Sequence, residues 1–315
     1  MPFRLRETDC KTLECLAEYR ILTVPQLAAN FQKNKQAVRR RFGDLEKEGL
    51  IEVTRREFGR ARGRPENLFG LTELAADILK DKGIIGRELP YEKVGGTNIG
   101  CIDHQLLLNW FRVHLNRIEQ VLSMLSVKFL AYNSPLLTKG SGGRIFITDY
   151  SSVSSSGVQD IKFTPDAVFG TRDSIAEKTC LFFLEVDCGT ETIASPKRDM
   201  TDIRQKIVNY GAYFDSLRYK RYEKVFKCKL HGFRLLFLTN TPGRLAALCK
   251  LIQEMQSTDF VWLTEYSRMF PGGVSAEIWA RGGDLQASLQ SILGSLCCRA
   301  PLPQEFISKF CKIPL

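Results

Sequence analysis

The chain has 315 residues, of which 44% are hydrophobic and 25% are charged. These ordinary globular values exclude a wholly disordered chain, a collagen-like repeat and a pure coiled coil, and the length favours about two domains. No run approaches the roughly 18 apolar residues that a membrane span needs, and the first residues carry charge at once, so we expect a cytoplasmic protein without a signal peptide. The net charge of +10 favours a polyanionic partner, nucleic acid before membrane.

Much of this charge lies between residues 33 and 64, which hold eleven Lys or Arg against five Asp or Glu. The apolar spacing there predicts a helix over 9–19, a second helix that starts after the N-cap Thr23, and a third over 35–48 that ends before Gly49. Two strand-like runs follow, over 50–54 and 67–71, on either side of a basic, Gly-rich tip at 58–65. A fourth helix is predicted from Thr72 to about Lys82.

Three helices followed by a basic hairpin resemble a winged helix-turn-helix domain, and residues 45–51 (LEKEGLI) are typical of the end of its recognition helix. The resemblance covers residues 8–82. It implies that the third helix enters the major groove of DNA while the wing tip contacts phosphate or the minor groove. The alternative is a solvated basic face on a winged helix that contacts another protein. The DNA-binding candidates are Lys35, Gln36, Arg39 and Arg40 on the helix, and Arg60, Arg62 and Arg64 on the wing.

Glycine and proline recur between residues 83 and 101, a composition typical of a linker. We therefore divide the chain into a winged helix at 1–83, a linker at 84–101 and a second domain at 102–315. In the second domain the pattern predicts helices over 103–125, 197–217 and 242–256, and loops over 140–143 and 151–157. Strands are predicted over 128–132, 163–169, 180–187, 233–239, 260–263 and 277–279. Strands that alternate with helices favour a mixed sheet of the α/β or α+β class.

Three acids at strand ends are the informative residues of this domain: Asp166, Glu185 and Asp187. A charged residue at the end of an apolar strand is costly unless it is paired, hydrated or bound to metal. Carboxylates that two strands deliver to one edge would make a hard oxygen site for Mg²⁺ or Mn²⁺, with Asp166 and Glu185 as ligands. Such a metal supports phosphodiester cleavage. In the alternative interpretation, Glu185 and Asp187 form salt bridges to the helix that carries Arg198, Arg204 and Lys206.

Pro165-Asp166, followed by Glu185-x-Asp187, resembles the PD-(D/E)XK nuclease fold, in which these acids are catalytic. That superfamily normally carries lysine where this chain has Asp187. The resemblance implies that Lys206 could substitute for this lysine. Lys206 and Tyr210 are four residues apart on one helix face, similar to the Q-x-x-x-Y box of some members. The catalytic candidates are Asp166, Glu185, Asp187 and Lys206.

The whole pattern resembles the replication-relaxation family of mobile-element proteins. The matching features are a winged helix, a helix that opens with Asp103-His104, the segments 165–167 and 184–191, and a tail with residues 235–240 and Ile278-Trp279. The resemblance implies a bacterial DNA-handling protein that acts in plasmid replication, mobilisation or its regulation. The implied partners are double-stranded DNA, a second copy of the chain, and replication or transfer proteins of the same element.

Three functions compete on this evidence. The first is a DNA-binding protein whose nuclease-like domain lacks standard catalysis and needs no cofactor, which the missing lysine favours. The second is a Mg²⁺- or Mn²⁺-dependent DNA endonuclease targeted by the winged helix. The third is a dimeric transcription repressor, whose second domain serves dimerisation or ligand sensing. We expect the first.

Overall fold

A computed structural model describes residues 4–55, 66–97, 99–130, 137–139, 145–147, 149–154, 158–195 and 202–303. The chain divides into two compact units. Residues 1–113 with 131–146 form the N-terminal unit, and residues 114–130 with 147–315 form the C-terminal unit. Within the described ranges, no helix is long and apolar enough to cross a membrane.

The N-terminal unit is built from helices and one small antiparallel sheet, in which the strand order is β1-β3-β2. Its elements are α1 (Glu7–Tyr19), β1 (Ile21–Leu22), α2 (Val24–Phe31), α3 (Lys35–Lys47), β2 (Ile51–Thr54), β3 (Leu68–Leu71), α4 (Glu73–Asp81), α5 (Tyr91–Val94) and the first part of α6 (Ile102–Val121).

Local signals explain where these helices begin and end. The Thr23 side chain accepts a hydrogen bond from the backbone N–H of Gln26, and Thr72 caps α4 in the same way through Ala75. Gly49 follows α3 with φ of +67°, a left-handed conformation that glycine adopts without strain. The predicted four helices and two strands of this region are therefore confirmed, each within about two residues.

The first part of α6 is bonded into the N-terminal unit. Asn109 donates a hydrogen bond to the carbonyl of Ile21 at 2.5 Å, and Gln26 donates one to the carbonyl of Leu106 at 2.9 Å. The Arg112 guanidinium lies over the Tyr19 ring. The division between the units therefore falls after Val113, whereas the sequence pattern places the second domain from residue 102.

The C-terminal unit contains the remainder of α6 and a sheet flanked by helices. Its strands are β4 (Leu125–Phe129), β7 (Asp149–Ser154), β8 (Val158–Phe163), β9 (Ala167–Asp173), β10 (Lys178–Asp187), β11 (Phe233–Thr239), β12 (Val261–Glu265) and β13 (Ala280–Arg281). Its helices are α7 (Ile203–Asp215), α8 (Glu223–Phe226), α9 (Pro242–Gln253) and α10 (Tyr266–Gly272). Two short strands, β5 (Leu137–Lys139) and β6 (Ile145–Ile147), pair with each other.

The main sheet has six strands in the order β13-β12-β11-β10-β9-β4. Strands β10, β11 and β12 are parallel, and the others join antiparallel, so the predicted mixed sheet is confirmed. Residues 181–187 of the central strand β10 are buried, as expected for a strand covered on both faces. The carboxyl ends of β10, β11 and β12 lie at one edge of the sheet.

Four predicted elements are wrong in extent, three because strand pairing overrides the local pattern and one because a proline interrupts the strand. Helix α6 ends at Val121 rather than near residue 125, since Leu125 belongs to β4 and pairs with Asp173 of β9. The predicted strand 163–169 is two strands, with a break at residues 164–166 where Pro165 has no N–H to donate. Residues 151–154, predicted as a loop, pair with 158–161. The last strand is Ala280–Arg281 rather than 277–279.

Candidate functional site

Helix α3 presents a basic outer face in the N-terminal unit. Its inner face is fixed by Val38, Phe42 and Leu45, which are buried. Gln36, Arg39 and Arg40 are exposed and Lys35 is partly exposed. All four residues predicted to contact DNA from this helix therefore lie on one accessible side of it. The predicted wing residues Arg60, Arg62 and Arg64 lie outside the described residues.

Arg41, in the same basic run, has a structural role instead. Its guanidinium forms two hydrogen bonds with the buried carboxylate of Asp9, at 2.7 and 2.5 Å. Burial alone would raise the pKa of Asp9, but hydrogen bonds from Arg41 and from the backbone N–H of Arg6 hold that pKa below its usual value. The basic run therefore divides into one core ion pair and an exposed set.

In the C-terminal unit, Glu185 interrupts the apolar run of β10 and its side chain is 5% exposed. Tyr210 donates a hydrogen bond to Glu185 Oε1 at 2.5 Å, and the Lys206 ammonium lies 3.1 Å from Oε2. Both partners come from α7, which lies beside β10, and their four-residue spacing places them on one helix face. The structure thus brings together Glu185, Lys206 and Tyr210, three of the residues that the nuclease-like pattern singled out.

The environment of Glu185 changes its acidity. Burial disfavours the carboxylate and raises its pKa to about 7, although the positive charge of Lys206 opposes that shift. Burial would lower the pKa of Lys206, but the charges of Glu185 and Glu191 outweigh it and raise that pKa. Lys206 therefore stays an ammonium ion, while Glu185 can change its protonation state near neutral pH.

The alternative interpretation, in which both acids form salt bridges to the following helix, holds for Glu185, which pairs with Lys206. The described partner of Asp187 is instead Arg244 of α9, and Arg198 lies outside the described residues. Asp187 Oδ2 accepts a hydrogen bond from Arg244 Nε at 2.5 Å, and its Oδ1 accepts one from the N–H of Gly189 at 2.8 Å. Arg244 lies in the first turn of α9, and sequence reasoning missed it. The available signal was the helix start at Thr241-Pro242. Helix α9 follows β11, which is parallel to β10, so the first turn of α9 begins at the sheet edge where β10 ends.

Asp166 precedes β9 and lies beside the other acids. Its Oδ2 accepts a hydrogen bond from the backbone N–H of Val186 at 2.7 Å. This contact ties the start of β9 to the end of β10, and the negative charge of Asp166 also contributes to the raised pKa of Glu185.

Glu191 completes the cluster. Its two carboxylate oxygens lie 3.0 and 2.9 Å from Lys206 Nζ, and its backbone carbonyl accepts a hydrogen bond from Arg244 at 2.5 Å. Its side chain is half exposed. The segment after β10 therefore lies across both cations of the cluster, Lys206 and Arg244.

As arranged, these residues do not fit the expected Mg²⁺ or Mn²⁺ site. Both oxygens of Glu185 and both oxygens of Asp187 accept hydrogen bonds from protein donors, and two of those donors carry a positive charge. A divalent cation needs about six oxygen ligands and would be repelled by Lys206 and Arg244. Within the described ranges, no group of three His, Cys, Asp or Glu side chains is placed to hold a metal ion.

Comparison with known proteins adds one finding. A family model described as replication-relaxation matches residues 13–228, about two thirds of the chain. No curated protein and no solved structure matches this chain. The matched range covers the exposed helix α3, both acids of β10 and the two partners of Glu185 on α7, and it ends before Arg244, the partner of Asp187. The chain therefore belongs to the replication-relaxation family.

Proposed function

We propose that this protein binds double-stranded DNA in the replication or mobilisation of a plasmid or another bacterial mobile element, or in its regulation. The observation that carries the proposal is the exposed basic face of α3, which follows a capped helix and a short turn and is held by a buried apolar face. That order of helices, followed by an antiparallel pair of strands, supports a winged helix-turn-helix that inserts α3 into the major groove.

We further propose that the C-terminal unit keeps a nuclease-like arrangement without turnover. Every acid of the predicted catalytic set is engaged by the protein itself, and the Lys206 ammonium and Arg244 guanidinium supply the positive charges beside them. Such pairing supports a structural role for the acids.

A metal-dependent endonuclease is the second candidate. The observation that favours it is the contact of Lys206 and Tyr210 with Glu185, since a lysine beside a strand-end acid is what nuclease chemistry of this type requires. The two candidates make opposite predictions for cleavage of plasmid DNA.

DNA binding is tested by two double variants, Arg39→Ala with Arg40→Ala on α3, and Arg60→Ala with Arg62→Ala on the wing. Each is expected to weaken binding to duplex DNA and to lower the slope of log affinity against log salt by about 0.9 for each lost phosphate contact. The measurement is fluorescence anisotropy with a labelled duplex over a series of salt concentrations.

The matched control is Lys82→Ala with Arg87→Ala, which removes the same charge from exposed positions elsewhere in the N-terminal unit. If the α3 and wing variants leave both affinity and salt slope unchanged, the proposal fails. If the control lowers them equally, net charge rather than a binding face explains the effect.

A further inference from the structure

A second basic segment lies in the C-terminal unit, over residues 218–229. It holds six Lys or Arg against one acid, Glu223, a difference of +5. Residues 33–64, with eleven against five, carry +6. The whole chain carries +10, so everything outside these two segments carries −1. The basic balance of the protein is therefore confined to two short segments, and α3 with the wing accounts for only one of them.

This second segment is held in place by its aromatic residues. Tyr219 and Tyr222 lie in a 3-10 turn (Arg218–Tyr222) that leads directly into α8, which contains Phe226. All three side chains are buried. The Phe226 ring packs so closely on Gly170 of β9 that any Cβ there would lie 2.4 Å from it. Lys128 of β4 donates a hydrogen bond to the carbonyl of Val225. The segment is thus fixed on the sheet, and its charges project from a rigid support.

Four lysines of the segment carry its exposed charges. Lys220, Lys224, Lys227 and Lys229 are exposed, and we call them the lysine surface. The structure gives none of these four an ion pair within its described ranges. Glu223, the one acid in the segment, accepts a hydrogen bond from the backbone N–H of Leu230. Four exposed like charges within ten residues repel one another, and an anionic partner would relieve this repulsion.

We infer that the lysine surface is a second DNA-binding surface, which contacts the phosphate backbone of duplex DNA without reading sequence. This inference rests on the proposed function. Lysine is a flexible point charge suited to phosphate contacts, whereas base reading needs planar donors. The aromatic residues of the segment are buried, which leaves no stacking platform for the bases of a single strand. Insertion into a membrane surface requires an exposed apolar face, and here the apolar side chains of the segment are turned into the core.

The lysine surface is separate from the acid cluster. Lys206 lies in the first turn of α7, and the basic segment follows the last residue of that helix, Asp215. Nine residues of helix at 1.5 Å each place them roughly 13 Å apart along the helix axis. The lysine surface and the acid cluster therefore lie at opposite ends of α7.

The test replaces all four lysines with glutamine, which keeps a polar side chain only slightly shorter than lysine and removes the charge. Binding of a labelled duplex of arbitrary sequence is measured at a series of salt concentrations. We expect at least a tenfold loss of affinity and a slope reduced by about 2 to 4, since each phosphate contact contributes about 0.9. The matched control replaces Lys82, Arg87, Lys250 and Arg299, four exposed residues elsewhere, and is expected to leave the slope within one unit of wild type.

Melting curves of both variants check that each remains folded. An unchanged slope in the lysine-surface variant, or an equal drop in the control, overturns the inference. Loss of binding to phosphatidylserine vesicles with duplex affinity retained would assign the surface to membrane and overturn it too. If the α3 variant weakens duplex binding and the lysine-surface variant does not, this inference alone fails. If the wild type binds no duplex, the proposed function fails with it.

Discussion

At the scale of single residues, His114 is the most unusual group in the C-terminal unit. Its imidazole is fully buried, and neither ring nitrogen has a hydrogen-bond partner in the described part of the chain. The edge of the Phe270 ring packs against it at 5.2 Å between ring centres. Burial lowers the pKa of His114 to about 3, because an imidazolium ion there would have neither water nor a counter-ion.

The lowered pKa of His114 determines the direction in which stability changes with pH. The folded chain does not take up a proton at His114 that the unfolded chain takes up below about pH 6.5, so stability is lost as the pH falls from 6.5 toward 3. At pH 5 the loss is about 2 kcal/mol. Replacement His114→Phe is expected to remove this acid sensitivity and to add about 1 kcal/mol at pH 7, where two unpaired polar atoms leave the core. Urea unfolding at several pH values measures both effects.

The exposed His231 provides the control, since the acid sensitivity assigned to His114 should remain in the His231→Phe variant. A His114→Phe variant that is less stable at pH 7, or that keeps the full acid sensitivity, would show that His114 has a polar partner in solution.

At the scale of elements, strand β10 and helix α9 are joined by the pair of Asp187 and Arg244. Both side chains are mostly buried, at 5% and 14% exposed. A buried ion pair contributes little net stability, but removal of one partner leaves an uncompensated charge. The pair therefore fixes the start of α9 at the carboxyl end of β10, and each residue depends on the other.

This dependence predicts a non-additive result in a double-mutant cycle. Arg244→Met is expected to lower the free energy of unfolding by about 3 kcal/mol, because Asp187 stays buried without its partner. The double variant Asp187→Asn with Arg244→Met should recover at least half of that loss. Urea denaturation of the single and double variants supplies the numbers.

Arg204→Met is the comparison for this cycle, since Arg204 pairs with Glu254 on the surface, where both side chains are about half exposed. Exposed pairs contribute little, so its effect should stay within about 0.5 kcal/mol. Equal effects of Arg204→Met and Arg244→Met would refute the structural role given to Arg244.

At the scale of the whole molecule, DNA binding and cleavage can be separated in one assay. Supercoiled plasmid is incubated with wild-type protein and millimolar Mg²⁺ or Mn²⁺, and binding is followed by gel shift in the same buffers. We expect binding without nicking, because Lys206 and Arg244 already provide the positive charge that a metal ion would bring.

Glu185→Ala tests the same point from the other side. Nicking by the wild type that disappears in this variant, while DNA binding persists, would establish the endonuclease and reject the proposal that the site has no turnover. An unchanged trace of nicking in both proteins would indicate a contaminating nuclease.

Most of the helices and strands, and the class of the fold, can be predicted from local features of the sequence. Helix starts at Thr23 and Thr72 and the buried strand β10 follow from capping side chains and from apolar spacing, which act over three or four residues. The resemblance carried by short motifs also identified the family. A salt bridge from Glu185 to the helix carrying Lys206, 21 residues further along the chain, was one of the interpretations that the sequence left open. These features are short-range or follow one crossover between a strand and its helix.

The other contacts of the site and of helix α6 depend on the tertiary fold. Arg244 pairs with Asp187 from 57 residues away, and the first part of α6 is bonded into the N-terminal unit through Asn109, 88 residues beyond Ile21. The isolation of His114 depends on packing against Phe270, which no local pattern specifies. Sheet order and helix packing set such contacts. A charge pattern along the chain identifies which side chains need a partner, and the folded sheet determines which partner each one meets.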